Sequence, residues 1–249
     1  MINIKLENYL ISGLPINLGS LGVITQPKVR DLISNNIELN SLLEPFLISP
    51  ELVGINPDNP LFSEIKTFDL FFVEDMQIRE TLLLELLINS LKIIYSVELN
   101  NIKLEDYSII IDDKYIINRD NFDILQEVIL SMFNQELPTP SKPQKYKSEA
   151  HRRVIEKMNK KREEARRRKE LHLCDFINIV THANGYIGYD KVLDMTYFQL
   201  LNSYSTLLNI NNHKEFLMYH TSPKFEVKEE TAHWLKNIKM KNNLVTLNG

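Results

Sequence analysis

Histidine is the residue type in this sequence best suited to metal binding or acid–base catalysis, and the chain contains six histidines. His213 and His220 lie seven residues apart and share a face if the helix that carries them is continuous. Seven residues of helix separate two side chains by about 10 Å, too far for both to bind one metal ion without ligands from other elements. This spacing does not predict a metal site.

The single cysteine, Cys174, could act as a thiol nucleophile with His172 or His182 as its base. Its neighbours Leu173 and Phe176 instead favour a small residue of the apolar core. One cysteine also excludes a disulfide framework within the chain and suits a reducing compartment.

Two adjacent carboxylates, Asp112 and Asp113, could serve as a metal-binding or acid–base pair. They stand between two isoleucine-rich segments, where Asp is a common turn residue. The sequence also contains no phosphate-binding loop, dinucleotide-binding fingerprint or GxSxG motif. We therefore expect a protein that is not an enzyme and that uses no metal or cofactor.

The most strongly charged segment is KSEAHRRVIEKMNKKREEARRRKEL, residues 147–171. It consists of strong helix formers without Gly or Pro, which predicts an exposed basic helix over residues 148–171. Opposite charges four residues apart, such as Glu149 and Arg153, add about 0.3 kcal/mol per pair. The cations singled out in this helix are Arg152, Arg153, Lys160, Lys161, Arg162, Arg166, Arg167, Arg168 and Lys169.

Three roles are compatible with this basic helix: a solvent-exposed spacer, a docking helix for an acidic protein surface, and a nucleic-acid-binding element. A nucleic-acid reader would also use aromatic side chains or base-reaching groups, and no aromatic residue occurs in residues 149–171. The spacer interpretation is favoured over the other two roles, which carry equal weight, and nucleic acid is not expected as a partner.

Charge divides the chain into three parts. Residues 1–141 contain 21 acidic and 9 basic residues, a net charge of −12, whereas residues 142–170 contain 13 basic and 5 acidic residues, a net charge of +8. Residues 171–249 contain seven of each. We predict an acidic α+β domain (1–134), a linker with three prolines (135–147), the basic helix (148–171) and a helical C-terminal module (172–249).

The predicted fold is α+β and mainly helical. The N-terminal domain is expected to contain a Gly-punctuated hairpin or small meander, a helix with Pro27 at its first position, a short helix over residues 39–47, and a main core helix over residues 76–97. A hairpin about Asp112–Lys114 follows, and then a helix that is capped by Asp120 or Asn121 and runs to about Asn134. The apolar segment 81–99 contains four polar interruptions, which indicates a buried helix and no membrane span; no signal peptide is predicted.

The C-terminal part contains the single tryptophan, in ETAHWLKNIK. Trp234 either closes a small core or forms a protein-contact anchor, because tryptophan is favoured in interface hot spots. An aromatic run between Tyr186 and Tyr204 allows the same two interpretations, with the core interpretation favoured.

Three short motifs stand out: GLPINLGSLGVITQPKVRD, a Thr-x-x-Gln helix start at Thr196 to Gln199, and a near-terminal His-Trp pair at His233 and Trp234. Together they resemble motifs of tail-gene proteins in phages and phage-derived particles of low-GC bacteria. The resemblance implies a tail assembly chaperone, which coats the tape measure protein before the tail tube polymerises around it.

The implied partners are the tape measure and tail tube proteins, with possible self-association and no membrane. The implied location is the host cytoplasm, or the virion tail if the chain is instead a structural tail or baseplate component. The residues expected to contact partners are Tyr197, Phe198, Gln199, His233, Trp234 and Lys236.

Overall fold

A computed structural model describes most of the chain. It covers residues 2–55, 64–73, 77–78, 81–139, 149, 152–153, 155, 157–161, 171–183, 185–222 and 244–247. The fold is α+β and mainly helical, with several small antiparallel sheets, which confirms the predicted class. Among the described residues, no helix combines the length and the hydropathy that a membrane span requires.

Both ends of eight helices lie within the described residues. They are α1 (Leu6–Ser12), α2 (Val29–Ser34), α3 (Leu39–Leu43), α4 (Leu83–Tyr95), α5 (Phe122–Met132), α6 (Leu173–His182), α7 (Tyr189–Leu193) and α8 (Tyr197–Thr221). Short 3-10 turns occur at Gly19–Leu21, Glu44–Phe46, Thr67–Phe72 and Leu99–Asn101.

The strands form small antiparallel sheets. They are β1 (Ile2–Lys5), β2 (Ile16–Asn17), β3 (Val23–Ile24), β4 (Gln77–Ile78), β5 (Thr81–Leu82), β6 (Ile102–Glu105), β7 (Ser108–Ile111), β8 (Tyr115–Ile117) and β9 (Leu244–Leu247). The three-stranded sheet has the order β6-β7-β8, and the other pairs are β1 with β9, β2 with β3 and β4 with β5. The β1–β9 pair joins two segments from opposite ends of the sequence.

The main core lies between α4, α5 and the three-stranded sheet. The apolar stripe of α4 is buried at Leu83, Leu87, Leu91 and Ile94, as its spacing of three and four predicts. Burying each such side chain contributes about 1.5–3 kcal/mol. The α5 side is aromatic: the ring of Phe122 lies 5.2 Å from that of Phe71, between ring centroids.

Polar side chains inside this core have hydrogen-bond partners. The buried amide of Gln126 donates from Nε2 to the carbonyls of Phe46 (2.9 Å) and Ile48 (3.0 Å). The hydroxyl of Tyr95 donates to the carbonyl of Leu21 over 2.6 Å. Each bond joins a helix to a neighbouring 3-10 turn or loop. Each also satisfies a carbonyl that would cost about 1–3 kcal/mol if it were buried without a donor.

Most predicted elements of the N-terminal domain are present. The β2–β3 hairpin occurs, α3 ends at Leu43 before the 3-10 turn that contains Pro45, and β7–β8 turns at Asp112–Lys114 as predicted. The apolar face of α5 is buried throughout, and Asn121 is its N-cap. The helix expected at Pro27 begins two residues later, at Val29.

The predicted start of the main core helix was wrong. Residues 77–78 pair with residues 81–82 as a β-hairpin, so α4 begins at Leu83 and not at Met76. It ends at Tyr95 because Ser96 adopts a left-handed conformation, with φ of +54°. Helix α1 and strand β6 were not predicted from the sequence.

A second, smaller core lies between α6, α7, α8 and α2. Its buried residues are Val29, Ile177, Val180, Val192 and Leu200. Val29 is in the N-terminal domain and the other four are in the C-terminal module. Conversely, Phe198 of α8, a residue of the C-terminal module, is buried in the main core and is only 6% exposed. The domain boundaries themselves stay a prediction, but residues from both sides fill each core.

Candidate protein-interaction surface

Two motifs of the sequence analysis meet in the structure. The Gln26-Pro27-Lys28 segment lies beside Thr196, the N-cap of α8, and Lys28 forms an isolated antiparallel β-bridge with Thr196. The amide of Tyr197 donates to the Pro27 carbonyl (3.3 Å). These contacts join the start of α2 to the start of α8; we call this contact region the joint.

Gln26 and Gln199 connect the joint to α1. The Gln26 side chain is buried, and its Nε2 donates to the carbonyls of Tyr9 (2.7 Å) and Leu14 (2.8 Å). Gln199 completes a capping box with Thr196, and its Nε2 donates to the Ile11 carbonyl over 2.6 Å. Both amides therefore satisfy backbone carbonyls near the end of α1.

Exposed ion pairs lie at the edge of the joint. The Arg30 guanidinium approaches Asp194 at 3.3 Å and Asp190 at 3.8 Å, and all three side chains are substantially exposed. Exposed pairs of this kind contribute about 0–1 kcal/mol each. The buried apolar and amide contacts hold the joint, and the ion pairs add little.

Three of the residues predicted to bind partners lie in this joint. The ring of Tyr197 lies 5.6 Å from that of Phe133, between centroids, and burial raises the pKa of the Tyr197 hydroxyl. Phe198 is buried in the main core, and Gln199 donates to Ile11. These contacts are intramolecular, and a role in partner binding stays a prediction. His233, Trp234 and Lys236 lie outside the described residues.

Helices α6 and α8 pack against each other. The ring of Phe176 in α6 lies 4.9 Å from that of Tyr204 in α8, between centroids, in an edge-to-face arrangement. Leu200, Tyr204 and Leu207 follow each other at steps of three and four on the face of α8 that belongs to the second core. This face of α8 is covered as far as about Leu207.

The two helices differ greatly in length. The ten residues of α6 span about 15 Å, whereas the 25 residues of α8 span about 38 Å. Residues 208–221 of α8, which we call the distal half, therefore extend past the end of α6.

Large apolar side chains of the distal half are exposed to solvent. Leu217 is 46% exposed and Met218 is 71% exposed, and Leu208 is also exposed. Met218 continues the stripe of Leu200, Tyr204 and Leu207, because it lies eleven residues after Leu207, close to three helical turns. Apolar side chains grouped on an exposed helix commonly mark protein-contact sites.

The described part of the basic helix is helical and exposed. Arg152, Arg153, Lys160 and Lys161 project into solvent, and Arg153 pairs with Glu149 at 3.8 Å, four residues earlier. The remaining cations of the prediction, Arg162, Arg166, Arg167, Arg168 and Lys169, lie outside the described residues.

The histidines that the structure describes lie on helices α6 and α8 or at their ends. His182 lies 3.2 Å from the hydroxyl of Tyr189, and that hydroxyl donates to the side chain of Asn178 (2.9 Å). His213 and His220 lie on the continuous helix α8, as the sequence analysis required for a shared face. No group of three or more metal-binding side chains occurs within the described ranges.

The remaining candidates for chemistry are a turn and a surface thiol. Asp112 and Asp113 form the β7–β8 turn, accepting hydrogen bonds from Asn101 and Lys103 respectively. The hydrogen bond that Lys103 donates to Asp113 raises the pKa of the Lys103 ammonium. Cys174 was expected in the core but is exposed on the first turn of α6, because the buried face of that helix is formed by Ile177, Val180 and Thr181.

Comparison with known proteins gives one match, to a family model described as the YomV second domain, over residues 160–239. YomV is a protein of the phage SPbeta region, so the match indicates a phage-associated protein. The matched segment covers less than half of the chain and contains α6, α7 and α8. The searches of curated proteins and of solved structures found no match.

Proposed function

We propose that this protein is a non-enzymatic tail assembly chaperone, which binds the tape measure protein through the distal half of α8. The observation that carries the proposal is the exposure of Leu217 and Met218 on a helix inside the phage-related segment. The motif resemblance of the sequence analysis supports the same class. The site of action would be the host cytoplasm, before the tail is complete.

Physical reasoning supports reversible binding at this surface. A tape measure protein that is rich in amphipathic helices has apolar faces that need cover until the tail tube encloses them. Burying one leucine or methionine side chain contributes about 1.5–3 kcal/mol, so a few such contacts give useful but reversible affinity. A helix can present these contacts at steps of three and four to a partner helix.

The basic helix would act as a spacer in this proposal. Its described cations are exposed and it precedes α6 in the chain, so it can separate the C-terminal module from the linker at residues 135–147. The assembly partners in this proposal are the tape measure protein and the tail tube protein.

The proposal is tested by co-expression with the tape measure protein. The wild-type chain is expected to keep the tape measure soluble and to co-purify with it. The double variant Leu217→Glu, Met218→Glu is expected to reduce the co-purified amount about tenfold or more, since charge at a buried contact costs more than 1.4 kcal/mol. The control, Ser205→Glu, adds a charge to an exposed position in the first half of the same helix, outside the distal half, and is expected to bind normally.

Failure of the wild-type chain to bind or solubilise the tape measure would remove the proposal. Mass spectrometry of purified particles separates the remaining possibility. A transient chaperone is expected to be absent from mature particles, and a stoichiometric amount there would indicate a structural tail or baseplate component instead.

A further inference from the structure

Strand β6 forms one edge of the three-stranded sheet. It is hydrogen-bonded to β7 on one side, and β7 is its only strand neighbour among the described residues. Leu104, in the middle of the strand, is 46% exposed, and the flanking Lys103 and Glu105 are exposed too. An edge of this kind can accept another strand, because part of its backbone is left without a ladder partner.

The phase of the β6–β7 ladder identifies which backbone groups face outward. The amide of Asp112 donates to the Asn101 carbonyl (2.9 Å), so this pair is of the hydrogen-bonded type. Hydrogen-bonded and non-hydrogen-bonded pairs alternate along antiparallel strands, so Lys103 and Glu105 also bond to β7. The N–H and C=O groups of Ile102 and Leu104 therefore point away from β7.

We infer that β6 pairs antiparallel with β6 of a second copy of this chain, with the two-fold axis at Leu104. In this register the two Leu104 residues exchange backbone hydrogen bonds. Lys103 of each copy then lies opposite Glu105 of the other, which gives two complementary charge pairs. These pairs are of the non-hydrogen-bonded type, in which side chains lie closest.

Charge excludes the neighbouring symmetric registers. A two-fold axis at Lys103 would place two lysines opposite each other, and an axis at Glu105 would place two glutamates opposite each other. The Leu104 register also keeps the same sheet face inward in both copies, because Leu104 shares its face with the buried Ile109. The result is a continuous six-stranded sheet.

Lys103 already bonds to Asp113, but an ammonium group has three donors and can hold two carboxylates.

The pairing is tested by sedimentation of the full chain at low salt, with folding checked by circular dichroism. Wild type is expected to dimerise. Lys103→Glu and Glu105→Lys each replace two attractive pairs by two repulsive ones, and each is expected to raise the dimer dissociation constant about tenfold or more. The double variant Lys103→Glu, Glu105→Lys restores opposite charges and is expected to return within about threefold of wild type.

Two further variants separate this pairing from general effects. Asp113→Asn removes only the partner within the chain and is expected to leave the dissociation constant unchanged. Leu104→Pro removes the outward N–H without touching the β6–β7 ladder and is expected to abolish the dimer. A monomeric wild type overturns the inference, as does a dimer that ignores the charge changes or is not restored by the double variant.

Discussion

Gly13 and Gln199 show how single residues hold the two parts of the chain together. Gly13 ends α1 in the left-handed conformation, with φ of +69°, and its Cα faces the Gln199 and Thr196 side chains. A Cβ at Gly13 would lie 3.1 Å from Nε2 of Gln199 and 3.2 Å from Cγ2 of Thr196. Gly13 therefore allows the left-handed end of α1 and leaves space for the Gln199 and Thr196 side chains.

We predict that Gly13→Ala lowers the free energy of unfolding by about 2 kcal/mol. About 1 kcal/mol comes from the left-handed conformation and the rest from displacing Gln199. Gly19→Ala is the matched control, because Gly19 also has positive φ but has open space where its Cβ would lie. Urea unfolding measures both variants, and equal losses would contradict a steric role for Gly13 in the joint.

Tyr95 gives a prediction for pH dependence. Burial, and to a smaller extent the charge of Tyr115, raises the pKa of its hydroxyl above the ordinary value. Below about pH 10 the hydroxyl is protonated in both folded and unfolded chains, so it adds no slope. Above about pH 10 the unfolded chain ionises first, and stability falls as pH rises.

The test is urea unfolding of wild type and Tyr95→Phe between about pH 9 and about pH 11. At neutral pH the variant is expected to lose about 1–3 kcal/mol, because the Leu21 carbonyl loses its buried donor. Between the two pH values the variant is expected to lose less stability than wild type. Parallel losses in the two proteins would show that Tyr95 does not supply the alkaline slope.

At the scale of elements, the sequence predicted best where local pattern and burial agree. The face of α5 and the β7–β8 hairpin follow from apolar spacing and from an Asp-Asp turn, and tertiary contacts reinforce both. The start of α4 could not be predicted, because the sequence of residues 77–82 is compatible with a helix, whereas in the folded chain residues 77–78 pair antiparallel with residues 81–82. β6 was missed although its four residues, Ile102–Glu105, alternate apolar and polar side chains as a half-buried strand does.

The candidate surface was predictable only in part. The C-terminal sequence indicates helical structure, but the exposed distal half of α8 follows from the shorter length of α6, which the sequence does not reveal. Tyr197, Phe198 and Gln199 were expected to contact partners because they form a motif. In the structure these residues form contacts of the joint. The sequence alone does not distinguish a buried phenylalanine, or an amide bound to a carbonyl, from the same residue exposed for a partner.

The basic helix leads to a prediction about nucleic acid. If it is a spacer, the chain is expected to pass through heparin and DNA columns at about 50 mM salt without retention, since the acidic N-terminal domain repels phosphates. A synthetic peptide of residues 148–171 serves as the positive control, because it carries the same cations without the acidic domain. Retention of the full chain that falls steeply with salt would support a nucleic-acid binder instead.

For the whole molecule, the two cores share residues across the predicted domain boundary. Val29 fills the C-terminal core and Phe198 fills the main core, so the first half of α8 is fixed to the N-terminal domain. The distal half extends from this fixed base with exposed leucine and methionine side chains. Such an arrangement holds an apolar surface in a defined direction while the rest of the helix stays packed.

The central claim, that the distal half of α8 is the binding surface, is tested most directly by amide hydrogen exchange. Uptake of deuterium along α8 is compared between the free chain and its complex with the tape measure protein. We predict that exchange in residues 208–221 slows about tenfold or more in the complex, while exchange in residues 197–207 changes little because the joint already protects them. A complex in which the distal half exchanges as fast as in the free chain would contradict the account.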